Sequence, residues 1–376
     1  VSLEISCANL YVSFSHHKKT NRTIEHQTGT YYCRATKCYL FRSAQPLVGA
    51  SNSRSASDED FLKRIGGDEE LCILDCRPRL NAFANQIGGK GTELKRFYPS
   101  SEVHFLDIDN IHVVRNSFNA LEKVVMGNEN EMTFGKSVED TGWLLYVRRI
   151  LAGTCLLLDE MHGKRRNVLV HCSDGWDRTA QICALAQMLI DPYFRTIDGF
   201  RVLIEKDWLA AGHQFQKRIG HGLSPDDEGS SQRSPIFLQF LDCVYQLIRF
   251  YPTRFEFTPR LLTALAHHLY SCRFTTFLHD CERHRNEDEC HDDFWTFVLS
   301  DDLGERVKNP IFKPSNGPLY PSRSRLLRSV TLWEEYFLRW TSMNGESSFL
   351  MTKIYDLLLS KKEVVSGVDE EEEEKV

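Results

Sequence analysis

Apolar residues along this chain follow two alternating rhythms. Short unbroken apolar runs give way to longer stretches in which apolar positions recur every three or four residues. Leu71–Cys76, Val103–Ile108 and the run from Asn167 to Val170 are of the first kind, which predicts buried strands. Asp58–Ile65, Asn116–Met126, Thr141–Glu160 and Ala180–Ile190 are of the second kind and predict helices, the first capped by Asp or Ser. In Thr141–Glu160 the residues Leu144, Leu145, Val147, Ile150, Leu151 and Leu156 form one apolar face. The Ser- and Asn-rich stretch Ala50–Ala56 and the glycine-rich Asn85–Gly91 read as loops. From Pro235 onward the rhythm is mainly helical, over Ile236–Tyr251, Pro259–Cys272, Asp293–Leu299 and Val330–Trp340. The pattern predicts an α/β domain with a mixed central sheet flanked by helices, and a mainly helical C-terminal part on the same core. Residues 1–43 show no clear period and stay unassigned. Residues 346–376 read as a C-terminal extension whose acidic, low-complexity tail is expected to be disordered.

Composition narrows the class. The chain has 376 residues, 41% hydrophobic and 26% charged, which is ordinary for a globular protein and allows one large domain or two ordinary ones. No run of eighteen apolar residues predicts a membrane span, and no secretory leader is expected at the N-terminus. The chain opens with Val, as a fragment would. Its 12 cysteines lack a framework spacing, which favours a reducing cytosol. Net charge is −6, and the six acidic residues of Asp369–Glu374 account for that excess. A neutral body must draw anionic ligands through local basic clusters. Arg201, Lys206, Lys217 and Arg218 are candidates, whereas Lys164–Arg166 reads as a solvated charged face. No basic run interleaved with aromatics suggests nucleic-acid binding.

The chemistry concentrates in His171-Cys172-Ser173-Asp174-Gly175-Trp176-Asp177-Arg178-Thr179. A strand precedes this segment and a helix follows it. The loop amides and the helix N-terminus then make a phosphate cradle and favour a thiolate at Cys172. Arg178 supplies a planar fork for two phosphate oxygens, and Thr179 is placed to donate its hydroxyl to the sulfur. These residues suit phosphate-ester hydrolysis through a cysteinyl-phosphate intermediate, with no metal or cofactor. Asp174 or Asp177 is a candidate general acid, with Asp107 and Asp109 as rivals on another loop. Trp176 is placed to wall the pocket against a substrate ring. Cys272, Cys281, His284, Cys290 and His291 lie close in sequence, but their irregular spacing argues against zinc.

The string HCSDGWDRT resembles the signature of the myotubularin family of 3-phosphoinositide phosphatases. Ala44–Gly49, Leu74–Pro78, Asn81–Asn85, Phe105–Arg115, Arg195–Trp208, Gly212–Gly222 and Leu332–Trp340 are similar to further family segments, so the likeness runs from about Ala44 to Trp340. It implies a cysteine-phosphatase (tyrosine-phosphatase-like) fold over residues 44–345. It also implies Asp177 as the acid and substrate contacts from Ser173, Asp174, Gly175, Trp176, Asn85, Asn110, Ile111 and Arg218. Turn formation and core packing are the competing roles for Asn85, Asn110 and Ile111. The PH-GRAM domain that family members carry before the phosphatase is expected to be missing. Gln214 stands where several members carry a basic residue. The implied substrate is phosphatidylinositol 3-phosphate, with the 3,5-bisphosphate as a second. The implied setting is cytoplasmic, peripheral to endosomal membranes, with homo- or hetero-association among family members. A dual-specificity protein phosphatase and a non-catalytic scaffold are the rival functions, and the presence of both Cys172 and Arg178 argues against the scaffold.

Overall fold

Two strands, β1 (Thr28–Cys33) and β2 (Cys38–Ser43), open the described part of the chain as an antiparallel pair. The computed structural model describes residues 28–46, 55–67, 69–85, 91–127, 130–222, 231–288 and 292–339. Helix α1 (Ala56–Gly66) follows, with the Ser55 hydroxyl accepting from the Asp58 amide. Then come β3 (Leu71–Asp75), α2 (Arg79–Ala84), β4 (Ser101–Phe105), α3 (Ile111–Met126), α4 (Glu131–Asp140) and α5 (Trp143–Leu158). Strand β5 (Val168–His171) leads into α6 (Arg178–Ile190).

The sheet order is β1-β2-β5-β3-β4, parallel everywhere except between β1 and β2. The sheet is therefore mixed, as the sequence pattern predicts. Every residue of β3 and β5 is buried, which explains why these strands read as unbroken apolar runs. The hairpin β1–β2 comes from a segment whose sequence carries no clear period. Its outer strand faces partly away from the core, and its bulge between Gly29 and Tyr31 breaks the alternation. A phosphatase boundary at residue 44 would cut away two strands of this sheet.

Helix α1 covers one face of the sheet, where Leu62 packs with Leu71, Ile73, Tyr98 and Leu169. The other face carries a much larger apolar core that includes α5, α6 and the C-terminal helices. Every position of α6 is buried, because helices surround the sides that the sheet leaves open. Helices α7 (Ile197–Ile204), α8 (Phe215–Ile219), α9 (Ile236–Phe250) and α10 (Pro259–Tyr270) build this layer. The helical C-terminal part thus shares the core of the sheet.

Two expectations are corrected. The helix expected over Val330–Trp340 reduces to Glu334–Phe337. Gln246 on α9 takes the Thr331 backbone instead, donating to its carbonyl at 2.8 Å and accepting from its amide at 3.3 Å. The basic run Lys164–Arg166 is not uniformly solvated. Arg166 is buried and ion-paired to Glu160 and, at 2.6 Å, to Glu102, so it serves structure. Cys290, His291 and the acidic tail lie outside the described residues. Among the described residues, no single helix is long and apolar enough to cross a membrane.

Candidate active site

Three parallel strands end at one level, where Ser43 and Asp75 flank His171 in register. The segments that follow them therefore converge at the carboxyl edge of the sheet, as ligand sites in such sheets do. The segment after β5 is Cys172–Asp177, and it turns directly into the N-terminus of α6.

Neighbouring strands brace this loop. The Gln45 amide and side chain both donate to the Ser173 carbonyl at 3.1 Å. Arg42, at the end of β2, donates to the Gly175 carbonyl at 2.7 Å while its other arm holds Asp207 at 3.0 Å. Gly175 adopts φ +82, and a Cβ there would lie 2.6 Å from the Ser43 carbonyl oxygen. Only glycine meets both the left-handed backbone and this close approach. We expect Gly175→Ala to destabilise the domain by about 2 kcal/mol or more, since the strain and the clash act together. Denaturant unfolding measures this, and an unchanged midpoint would mean that the loop is not held as described.

Cys172 is buried, with 2% of its surface exposed, and sits at the base of the loop. The Gly175 amide donates to its sulfur at 3.3 Å. Burial raises the thiol pKa, but the Arg178 guanidinium and the Thr179 hydroxyl and amide outweigh it, so the net shift is downward. Elsewhere burial wins: it pushes the thiols of Cys72 and Cys76 up, at Cys76 against the same Arg178 charge. One arm of Arg178 donates to the Ile108 carbonyl and the other to the Ser173 hydroxyl, each at 3.2 Å. The fork is thus fixed across the loop beside the sulfur. Behind it, His171 is fully buried. Burial opposes its charge, yet Glu93 and Asp75 prevail and bring its pKa up to about 9. The ring pairs with Glu93 through Nε2 at 3.2 Å and donates from Nδ1 toward the Cys172 carbonyl at 3.2 Å, which ties the end of β5 to the start of the loop.

Asp177 is the last loop residue, and its carboxylate is buried. Arg218 grips it with two bonds, at 2.8 and 3.2 Å, and His213 Nδ1 lies 3.0 Å from Oδ1. Burial raises the carboxyl pKa, but His213 and Arg218 overcome this and hold it far below the usual carboxylate range. The rival aspartates are placed differently. Asp107 is exposed at φ +53, and Asp109 is ion-paired to Arg149.

The remaining expected site residues divide. Ser173 and Trp176 lie in the loop and are half-buried, and Asp174 is exposed at its rim. The Asn85 side chain donates to Gln45 at 3.4 Å, which places it beside the loop brace. The Asn110 side-chain oxygen caps α3, accepting from the amides of His112 and Val113. The Ile111 carbonyl accepts from Ser234 at 2.8 Å, and its side chain packs at the core margin. These contacts match the turn and packing roles for Asn110 and Ile111. Of the basic candidates, Arg201 pairs with Asp198 and Glu205, and Lys206 pairs with Asp207. Arg218 alone among them contacts the loop. Gln214 immediately precedes α8, four positions before Arg218, and accepts from Lys217 at 3.1 Å.

Arg42, Gln45, Glu93 and His213 are not evident as site residues from the sequence. Only strand register and tertiary approach bring them to the loop. Among the described residues, the atoms of Cys72, His104 and Glu160 lie close enough to share a metal ion. The Glu160 carboxylate of this set is already taken by ion pairs to Lys164 and Arg166, so it is not free as a ligand.

Comparison with known proteins shows the family. Residues 11–286 match the model of the myotubularin-like phosphatase domain, which reaches upstream of Ala44 and includes the β1–β2 hairpin. Myotubularin of Xenopus tropicalis is 42% identical over 309 residues, covering 80% of this chain and 50% of that protein. Rattus norvegicus myotubularin is 39% identical over 332 residues, covering 86% and 54%. The Pongo abelii protein named phosphatidylinositol-3,5-bisphosphate 3-phosphatase MTMR2 is 40% identical over 337 residues, covering 88% and 52%. The chain spans about half the length of the curated relatives it matches. A solved kinase associated phosphatase with serine for its catalytic cysteine aligns at TM-score 0.30 and 14% identity, over 62% of this chain and 98% of that one. That likeness is too distant to bear on the fold. With its cysteine–arginine loop set at the edge of a mixed sheet, and with relatives at about two-fifths identity over most of its length, the chain belongs to the myotubularin-like phosphatase family.

Proposed function

We propose that this domain removes the 3-phosphate from phosphatidylinositol 3-phosphate and, as a second substrate, from the 3,5-bisphosphate. The observation that carries the reading is Cys172, whose thiol is shifted toward the thiolate beside the fixed fork of Arg178. The Cys172 sulfur attacks phosphorus, and the bond from phosphorus to the inositol oxygen breaks. Arg178, the loop amides and the N-terminus of α6 stabilise the charge that spreads over the phosphoryl oxygens. Asp177 gives its proton to the departing inositol oxygen. Water then attacks the phosphorus of the cysteinyl phosphate, Asp177 takes a proton back, and the thiolate leaves. Trp176 and Asp174 at the loop rim, with Asn85 and Arg218 behind it, contact the headgroup. The name of the MTMR2 relative supports a 3-phosphoinositide substrate. The setting is the cytoplasmic face of endosomal membranes, where the lipid is presented, and homo- or hetero-association with family members belongs to the same reading.

The role of Asp177 is tested by leaving-group dependence. We expect Asp177→Asn to slow release from an inositol phosphate by about 10²–10³-fold, because an alkoxide leaves poorly without a proton. An aryl phosphate, whose oxygen leaves as a stabilised phenolate, should slow much less. Equal losses on both substrates would make Asp177 structural and bring Asp109 forward.

Gln214 sets a second expectation. It immediately precedes α8, four positions before Arg218, and carries no charge. A charge-assisted contact is worth about 1.5–3 kcal/mol where solvent is excluded. We expect wild type to prefer phosphatidylinositol 3-phosphate over the bisphosphate, and Gln214→Arg to narrow or reverse that preference. The ratio of kcat/KM for the two lipids reads this directly. A ratio unchanged by the substitution would remove Gln214 from headgroup selection.

A further inference from the structure

The general acid assigned above is held in a form that cannot donate a proton. Asp177 is buried as a carboxylate between Arg218 and His213. Arg218 is itself buried, with 5% of its surface exposed, and its remaining arm donates to the Gln232 carbonyl at 3.1 Å. His213 is fully buried. Its Nδ1 lies 3.0 Å from the Asp177 carboxylate and 3.2 Å from the Trp176 carbonyl, and its Nε2 is buried without a hydrogen-bond partner. Both atoms facing Nδ1 are acceptors, so Nδ1 carries the hydrogen. A second N–H at the unpartnered Nε2 would be a buried, unsatisfied cationic donor, which costs more than a bare lone pair. Nδ1 is therefore the donor to Asp177, and Nε2 has no polar contact through which to relay a proton.

We infer that Arg218, Asp177 and His213 form a substrate-operated latch, in which phosphate entering the loop draws Arg218 off Asp177 while His213 keeps the freed carboxyl aimed at the leaving oxygen. The inference rests on Asp177 as the acid, and it deepens that reading. The groups that face Asp177 are Arg218 on α8 and His213 before it, and its charge also bears on Cys172 in its own loop. A phosphate dianion adds two negative charges to this group. It competes with the carboxylate for Arg218 and favours protonation of Asp177 from solvent. The acid is then loaded only when a substrate is present. In this scheme His213 is a positioning residue. It acts through Asp177 and through the Trp176 carbonyl, never on substrate.

Two measurements test the latch. The first uses a graded set of aryl and alkyl phosphate monoesters, which requires phosphatase chemistry but no lipid. His213→Ala should cost about tenfold to a hundredfold in kcat on the alkyl esters and much less on the aryl esters. His213→Asn, which keeps a donor near Nδ1, should recover part of the loss. The Asp177→Asn and His213→Ala losses should not add in the double variant. Equal loss on every ester with a lowered Tm would make His213 a packing residue and overturn its role. The second follows the Asp177 carboxyl carbon by ¹³C NMR in Cys172→Ser protein, with inorganic phosphate as the probe. Saturating phosphate should raise the pH at which that carboxyl titrates, and Arg218→Met should raise it without phosphate. A midpoint unmoved by phosphate would overturn the latch. Failure on phosphoinositides with intact aryl and alkyl results would refute the lipid assignment and leave the latch standing.

Discussion

Cys172→Ser is expected to abolish turnover, by on the order of 10⁴-fold or more, the scale on which removing a nucleophile acts. Burial and the Asp177 charge oppose an anionic sulfur here, and the other groups around it outweigh them. The Gly175 amide, the Thr179 hydroxyl and amide, and the Arg178 charge all face it. A serine hydroxyl ionises far less readily than a thiol, so the same surroundings cannot turn it into a nucleophile at neutral pH. The loop conformation does not depend on the sulfur. Gln45 and Arg42 hold the Ser173 and Gly175 carbonyls, and the left-handed Gly175 sets the turn. Lipid binding should therefore survive in the variant. Residual turnover near the wild-type rate would remove Cys172 from the mechanism, and simultaneous loss of binding and fold would make it structural.

Arg178→Lys is expected to cost about 10³-fold, in line with the removal of an arginine that stabilises transferring phosphoryl groups. Lysine keeps the charge but not the planar fork, and it cannot span from the Ile108 carbonyl to the Ser173 hydroxyl. The substitution also leaves the thiol less well compensated, because the Arg178 charge is the main force that opposes burial at Cys172. Two readouts separate these effects. The rate at saturating substrate reports the lost clamp. The pH dependence of Cys172 alkylation reports the thiol, and its midpoint should rise. A variant with near-normal rate and an unshifted alkylation profile would show that Arg178 does neither job.

The chemical core of the site was legible because it is local. Strand, loop and helix are contiguous from Val168 to Ile190, so period, spacing and residue type suffice to place Cys172 and Arg178 together in one strand–loop–helix segment. The buried strands β3 and β5 and the long helix α5 were legible for the same reason, since burial on all sides or on one face writes itself into the apolar pattern. What was not legible depends on tertiary approach. The β1–β2 hairpin has a bulged, partly exposed outer strand and hence a weak alternation. The helix expected at Val330–Trp340 has suitable apolar spacing, but Gln246 captures its backbone from another element. Arg218 was identifiable as a cation but not as the partner of Asp177, 41 residues away in sequence. His213 falls in the family-like segment Gly212–Gly222, but nothing in that segment singles it out, and in the structure it packs edge-on against Trp208 and Phe215.

The central claim is that Cys172 drives hydrolysis at the 3-position of a phosphoinositide. Phosphate release from a panel of short-chain phosphoinositides and phosphopeptides, with wild type and Cys172→Ser run side by side, tests it most directly. The account predicts release from the 3-phosphate and the 3,5-bisphosphate, little from lipids without a 3-phosphate or from phosphopeptides, and none from the variant. Preferential release from phosphopeptides, or equal release by the variant, would contradict it.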